Sequence, residues 1–204
     1  MSAPPKIFLF VPGILTFPGF SDNWTGRGVT WTHLHTPHRA EKVEYFSGVL
    51  TRTMFQAERA HKLARTISFY HKAGFELHGA AHSNGADVFL DALRLFGSDP
   101  RCPRLETLNL ISPACHADCN KSGLNELFGQ NMLGDVTVWV AEKDWALDLA
   151  ATKTGWLLGF GTLGRNGPKN ATRLIHTLSA AVGHGDWFTD ERFDLTMRRI
   201  TSGF

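Results

Sequence analysis

Phe75-Glu76-Leu77-His78-Gly79-Ala80-Ala81-His82-Ser83-Asn84-Gly85-Ala86-Asp87-Val88-Phe89 is the stretch on which the fold turns. Residues 75–81 form a mostly apolar run of strand length. From Gly85 to Phe96 the period changes, with Val88, Phe89, Ala92, Leu93 and Phe96 at helical spacing and Gly97 and Pro100 to stop them. Between the two patterns lies Ala81-His82-Ser83-Asn84-Gly85, too short for anything but a sharp turn. Small residues on both sides of Ser83 let a helix pack close behind the strand.

Outward from this unit the same alternation repeats. Strands are predicted at 6–12, 42–46, 75–81, 105–111, 135–141 and 172–178. A helix is predicted from Thr53 to Ala73, with Ala60, Leu63, Ala64, Ile67 and Tyr70 on one face, a Thr53/Gln56 capping box, and Gly74 as its stop. A last helix at 189–200 opens on Asp190-Glu191 and closes on Arg198-Arg199, charges that oppose the helix dipole. Ile7–Val11 and Val136–Ala141 are continuous apolar runs, as parallel strands covered on both faces are. The expectation is an α/β fold of about six mostly parallel strands with helices on both faces. With 204 residues and no repeat or linker, the chain reads as a single domain, 1–204.

Composition excludes other classes. A hydrophobic share of 43% and a charged share of 20% are ordinary for a globular protein, and a net charge of +2 gives no basic field for nucleic acid. Three cysteines are an odd, sparse set, which predicts reduced thiols in a cytoplasmic setting. The apolar run Ile7–Val11 is short for a signal peptide and is broken by Pro12, and no run approaches the ~20 apolar residues of a membrane span. No stable membrane insertion is expected; the sequence says nothing of oligomeric state.

Ligands of open parallel sheets bind beyond the carboxyl ends of the strands. Those ends deliver Pro12-Gly13-Ile14, His82-Ser83-Asn84-Gly85, Glu142-Lys143-Asp144 and Gly183-His184-Gly185. A serine on a strand-to-helix turn fits the G-x-S-x-G nucleophile elbow, with Ala81 in the first glycine's place. In these residues, and in the chain order Ser83, Asp144, His184, the sequence resembles the α/β-hydrolase family, in the style of cap-less bacterial lipases and esterases whose elbow reads Ala-His-Ser-x-Gly. The resemblance runs by element order over roughly residues 6–200. It implies Ser83 as nucleophile, His184 as general base, Asp144 as the acid that orients it, and the backbone N–H groups of Ile14 and Asn84 as the oxyanion hole. Many relatives carry His-Gly where this chain has Pro12-Gly13, but the donor assigned by resemblance is Ile14, beyond the proline. Only residues 112–134 separate the fourth and fifth predicted strands, which leaves no room for a cap domain.

Asp148 and Asp118 compete with Asp144, the first on a helix beyond the turn, the second in the loop after Ile111. His82 is expected to point away from the centre and to pack or hydrogen-bond locally. His33, His35 and His38 imitate a metal cluster but have no carboxylate-rich partner motif, so a polar loop is expected. Cys115 and Cys119 do not have knuckle spacing and read as a thiol pair. The string Gly159-Phe160-Gly161-Thr162-Leu163-Gly164 matches G-x-G-x-x-G but follows no strand, so it reads as a glycine-rich loop. Phe17, Phe20, Trp24, Trp31, Trp145 and Trp187 are candidates for an apolar groove, with about half expected in the core.

The implied activity is hydrolysis of carboxylic esters, small-molecule or lipid-like, through an acyl-enzyme. No cofactor and no metal are expected. The same triad serves thioesterases, amidases and acyltransferases, and a non-catalytic ligand-binding module can share the fold.

Overall fold

The computed structural model describes residues 3–13, 24–45, 54–97, 102–150, 152 and 160–202. Six strands form one sheet: β1 (Lys6–Val11), β2 (Arg39–Lys42), β3 (Glu76–His82), β4 (Leu105–Ile111), β5 (Leu133–Ala141) and β6 (Ile175–Ala180). Their order is β2-β1-β3-β4-β5-β6 and every pairing is parallel. The helices are α1 (Trp24–His35), α2 (Gln56–Lys72), α3 (Gly85–Arg94), α4 (Leu124–Gly129), α5 (Trp145–Ala150), α6 (Leu163–Asn166) and α7 (Asp190–Ser202), with a 3-10 turn at Asp186–Phe188 before the last.

The pleat of the strands sorts their side chains into two cores. Ile7, Leu9 and Val11 of β1 and Val136, Val138 and Val140 of β5 join Leu63 and Ile67 of α2 and Val88 and Phe89 of α3 on one face. Phe8, Phe10 and Trp139 point the other way, where they meet Trp24 and Trp31 of α1, Trp187, and Phe193, Met197 and Ile200 of α7. One face is thus mostly aliphatic and the other strongly aromatic. Because the strands are parallel and in register, with Val11 opposite Ala81 and His82 opposite Ile111, their carboxyl ends line up along one edge.

The edge strands depart from the sequence reading. The second strand is not 42–46 but Arg39–Lys42, a charged, half-exposed segment paired with Ile7–Phe10. An outermost strand has only one neighbour and tolerates charge, so a search for apolar runs slides past it. The sixth strand is Ile175–Ala180 rather than 172–178, and it too is mostly uncovered. Helix α1 is a correction of another kind. Its sequence, with Gly26, Gly28 and scattered threonines, has no clear apolar stripe, yet Trp24, Thr25, Gly28, Trp31 and Thr32 are buried. Tertiary packing of two tryptophans overrides weak helix propensity here.

The capping box at the start of α2 is not formed as expected. Thr53 lies outside the described residues, Phe55 is the cap residue without a side-chain bond, and the Gln56 amide donates instead to Asp91 at 2.8 Å. Gly74 ends the helix as expected, in the left-handed region at φ +79°. Between β4 and β5 the chain holds only loops and the six-residue α4, so among the described residues no cap domain covers the carboxyl edge. Among the described residues no helix is long and apolar enough to cross a membrane.

Candidate active site

The backbone ladder continues past the strand ends and sets the site. Ser83 N–H donates to Ile111 O at 3.0 Å, and Ser112 N–H to Trp139 O at 3.0 Å. Beyond β5, Glu142 N–H reaches Ala180 O at 2.9 Å and Lys143 N–H reaches Val182 O at 3.0 Å. The last of these lays the residue after Lys143 beside the residues after Val182. Asp144 and His184 are therefore neighbours because two parallel strands overrun their sheet together.

His184 Nδ1 lies 2.6 Å from Asp144 Oδ2. A carboxylate only accepts, so the ring carries a proton on Nδ1, and Nε2 makes no hydrogen bond among the described residues. The other carboxylate oxygen, Oδ1, accepts the Leu147 N–H at 2.9 Å. Asp144 itself is fully buried. A charge taken out of water is tolerable only when its oxygens are bonded, and here both are. The bond from the first turn of α5 also fixes the carboxylate's orientation.

The loop that carries His184 is pinned on several sides. Gly183 N–H donates to Asp186 Oδ2 at 2.7 Å. Trp187 Nε1 donates to Ser112 Oγ at 3.0 Å while its ring meets Trp139 edge-on, and Thr196 Oγ1 of α7 donates to Trp187 O at 2.9 Å. Phe188 stacks on Trp24 at 4.4 Å, and Arg27 of α1 donates to its carbonyl at 3.0 Å. The aromatic core is thus the bed of the His184 loop.

Ser83 stands at φ +53°, in the left-handed region that L-residues rarely occupy. Such strain is held by close packing behind the turn. A Cβ on Gly85 would come within 2.5 Å of Pro12 O and 2.8 Å of Val11 O, and one on Gly13 within 2.9 Å of Ser83 Cβ. Gly85 is required by approach of backbone to backbone, and Gly13 by approach of its backbone to the Ser83 side chain. The end of β1 therefore passes directly against the serine turn. Tyr45 anchors that end, its hydroxyl donating to Pro12 O at 2.7 Å, and burial pushes the phenol well above its usual range. Asn84 precedes the first turn of α3, where a helix leaves its N–H groups unspent. Ile14 lies outside the described residues.

This arrangement of strands, helices and loops has been seen before. No protein-family model and no curated protein matches the chain. Solved structures do. Esterase PE8 superposes with a TM-score of 0.55 at 14% identity, over 97% of this chain and 94% of its own. A protein of Xanthomonas campestris pv. campestris assigned to the α/β-hydrolase superfamily gives 0.54 at 14% identity, over 94% and 95%. The mature lipase BlEst2 of Bacillus licheniformis gives 0.54 at 14% identity, over 95% and 89%. The chain has the α/β-hydrolase fold. At such identities the likeness speaks for architecture, and the chemistry must be argued from this chain's own residues.

Within this hydrolase fold the competing residues go elsewhere. Asp148 is exposed and paired with Arg165 at 2.9 Å. Asp118 accepts from Asn120 N–H at 2.9 Å and from Asn170 at 3.3 Å, and its own N–H donates to His116 Nδ1 at 3.0 Å; its carboxylate bonds no histidine among the described residues. The segment expected as a polar loop puts His33 and His35 in the last turn of α1. His33 Nε2 accepts the Ala40 N–H at 3.3 Å, and His35 donates to Trp31 O at 2.9 Å and stacks on that indole. Among the described residues no group of three or more His, Cys, Asp or Glu could hold a metal ion. Cys115 and Cys119 are buried. Gly161 and Gly164 pack against the backbone of Cys115 and of Ser112 and Pro113, and α6 begins between them.

Of the aromatic candidates, Trp24, Trp31 and Trp187 are buried and Trp145, next to Asp144, is 71% exposed. Phe17 and Phe20 lie outside the described residues. His82 is the main surprise. The sequence points it away from the centre, packing or bonding locally, but its Nε2 lies 3.0 Å from the backbone oxygen of His184, a residue 102 positions away. Nothing in the sequence marks a contact of that range.

Proposed function

We propose that the chain is a serine hydrolase of carboxylic esters. The observation that carries the reading is the 2.6 Å bond from His184 to a buried Asp144, on loops of the same sheet edge that holds Ser83 at φ +53°. Serine is a weak nucleophile at its free pKa. In this reading His184 Nε2 takes the Ser83 proton as the oxygen attacks the ester carbonyl, and then returns it to the departing alcohol. Asp144 keeps the imidazole in the tautomer with an open Nε2 and stabilises the imidazolium. The N–H groups of Asn84 and Ile14 receive the oxyanion, which the close approach of Gly13 to Ser83 supports. Water, activated by the same histidine, then releases the acid from the acyl-enzyme. The nucleophile, base and donors all belong to the chain, so the scheme draws on no cofactor or metal.

An uncapped carboxyl edge suits small-molecule or lipid-like esters of varied shape. The neighbours in fold, an esterase and a lipase among them, favour esters over other acyl bonds. The test is a panel of p-nitrophenyl esters of rising acyl length, set beside thioester and anilide analogues, on wild type and on Ser83→Ala. Ester turnover that vanishes in a folded Ser83→Ala protein is the expected result. Preference for the thioester or anilide reassigns the bond, and turnover that survives the substitution removes the mechanism.

A further inference from the structure

Ser83 is preceded by a histidine whose hydrogen bond the scheme above does not use. His82 Nε2 faces the carbonyl oxygen of His184 at 3.0 Å. A carbonyl oxygen accepts only, so His82 must carry its proton on Nε2. The two imidazoles lie side by side, centroids 4.7 Å apart and planes tilted by 48°. Phe188 meets the His82 ring at 5.2 Å in a T-shaped contact, and Phe188 is itself bedded on Trp24.

We propose that His82, as its Nε2–H tautomer, is a positioning residue that ties the His184 backbone to the nucleophile turn and so sets where the His184 imidazole stands relative to Ser83. The proposal rests on the triad reading of the site. Asp144 grips His184 by its ring and so governs rotation of the imidazole, but it leaves the backbone of the 183–185 loop to be held by other means. The Gly183–Asp186 bond lies within that loop and travels with it. The Lys143–Val182 bond ties the loop to β5. The His82 bond ties residue 184 itself to β3, the strand that delivers Ser83, one peptide away from the serine. Nucleophile and base then share a single rigid reference.

The base role given to His184 requires that His82 donate as a neutral ring. A cation 4.7 Å away would oppose the imidazolium that His184 must become. Burial first, and the His184 ring second, hold His82 down to about 3, while its bond to the His184 carbonyl pulls the other way. A ring held that low is uncharged at pH 7.

Two measurements test this. In protein labelled with 15N-histidine, the ring nitrogen shifts of His82 at pH 7 should report the neutral Nε2–H form; an Nδ1–H tautomer or a charged ring overturns the proposal. In kinetics, His82→Phe keeps a ring against Phe188 but has no donor, whereas the His82→Gln amide nitrogen reaches about as far as Nε2. His82→Phe should lower kcat about 10- to 100-fold with KM unchanged, and should shift or broaden the low-field Nδ1–H resonance of His184. His82→Gln should return both to near wild type. A folded Phe variant with wild-type kcat, or a folded Gln variant as slow as Phe, overturns the tether. If His82→Phe does not fold, the tautomer and the Gln variant decide alone. A wild type that hydrolyses no ester and takes up no fluorophosphonate is a different failure: the triad reading falls, and the proposal with it.

Discussion

The two edges of the sheet each hold a histidine bonded to a carboxylate, and they are not alike. At the carboxyl edge His184 uses Nδ1 on Asp144, and its Nε2 makes no hydrogen bond among the described residues. At the amino edge His78 uses both nitrogens, Nε2 on Glu76 Oε1 at 2.9 Å and Nδ1 on Thr107 Oγ1 at 2.8 Å, with its ring stacked on Phe8. Glu76 is further held by Lys6 at 3.3 Å. A cavity of about 250 Å³ lies at this edge, lined by Glu106, Asp135 and Ser202 among others, yet no residue lining it stands in the left-handed region as Ser83 does. A carboxylate partner therefore does not make a base. What distinguishes the carboxyl edge is a ring nitrogen without a hydrogen bond among the described residues and, on the same edge, a serine whose backbone stands in the left-handed region.

The sharpest way to break this contrast is to remove either half of the carboxyl-edge pair. Ser83→Ala and His184→Ala should each lower ester turnover by about 10⁴- to 10⁶-fold, and the double variant should be no slower than the worse single one. Steady-state hydrolysis by the three proteins checks this; losses that multiply mean that the two residues do not act as a unit. Next in size, Asp144→Asn should cost up to about 10⁴-fold by spoiling tautomer control. Asp148→Asn and Asp118→Asn, whose partners lie elsewhere, should turn over at the wild-type rate.

Stability separates the edges further. The fold lowers both His82 and His78, the first to about 3 and the second chiefly by burial against the upward pull of Glu76. His38 is lowered too, by burial and by Lys6. In the unfolded chain each has a pKa of about 6.5. Below that pH the unfolded chain binds protons that the folded one refuses, so stability is full above about pH 6.5 and falls as the pH drops towards the folded values. Denaturant titrations at pH 7 and pH 5 should show the loss, at most about 1.4 kcal/mol per pH unit for each histidine, and His82→Gln should flatten it. A pH-independent midpoint contradicts this. His78→Phe, by contrast, should leave turnover unchanged and cost about 1–2 kcal/mol, because Thr107 loses its partner and Glu76 is left with Lys6. Smallest of all, Ser83→Gly should relieve the left-handed strain and raise stability by about 0.5–1 kcal/mol while abolishing turnover. A destabilised Gly variant argues that Ser83 is not strained.

Much of this architecture is legible in the sequence where burial is complete. Val136–Ala141 and Ile7–Val11 read as central strands because both of their faces need apolar cover, and the turn at Ser83 reads from its small neighbours. Asp144 and His184 follow one another in chain order at strand ends, and the structure sets them 2.6 Å apart. The reading fails where one face is open or where packing outweighs local preference. Arg39–Lys42 is charged because it is an edge, and α1 is helical because Trp24 and Trp31 need the aromatic core. The His82–His184 and Tyr45–Pro12 bonds join residues far apart in the chain, so no local pattern carries them. Ile14, the expected second oxyanion donor, lies outside the described residues.

The central claim is that Ser83 is the nucleophile and depends on His184 for its reactivity. The most direct measurement is to treat the folded protein with a fluorophosphonate and map the adduct by peptide mass spectrometry, in wild type and in His184→Ala. The account predicts one phosphonyl group, on Ser83, formed rapidly in wild type and barely at all in His184→Ala. An unlabelled Ser83 in folded wild type, or labelling at the same rate without His184, contradicts it.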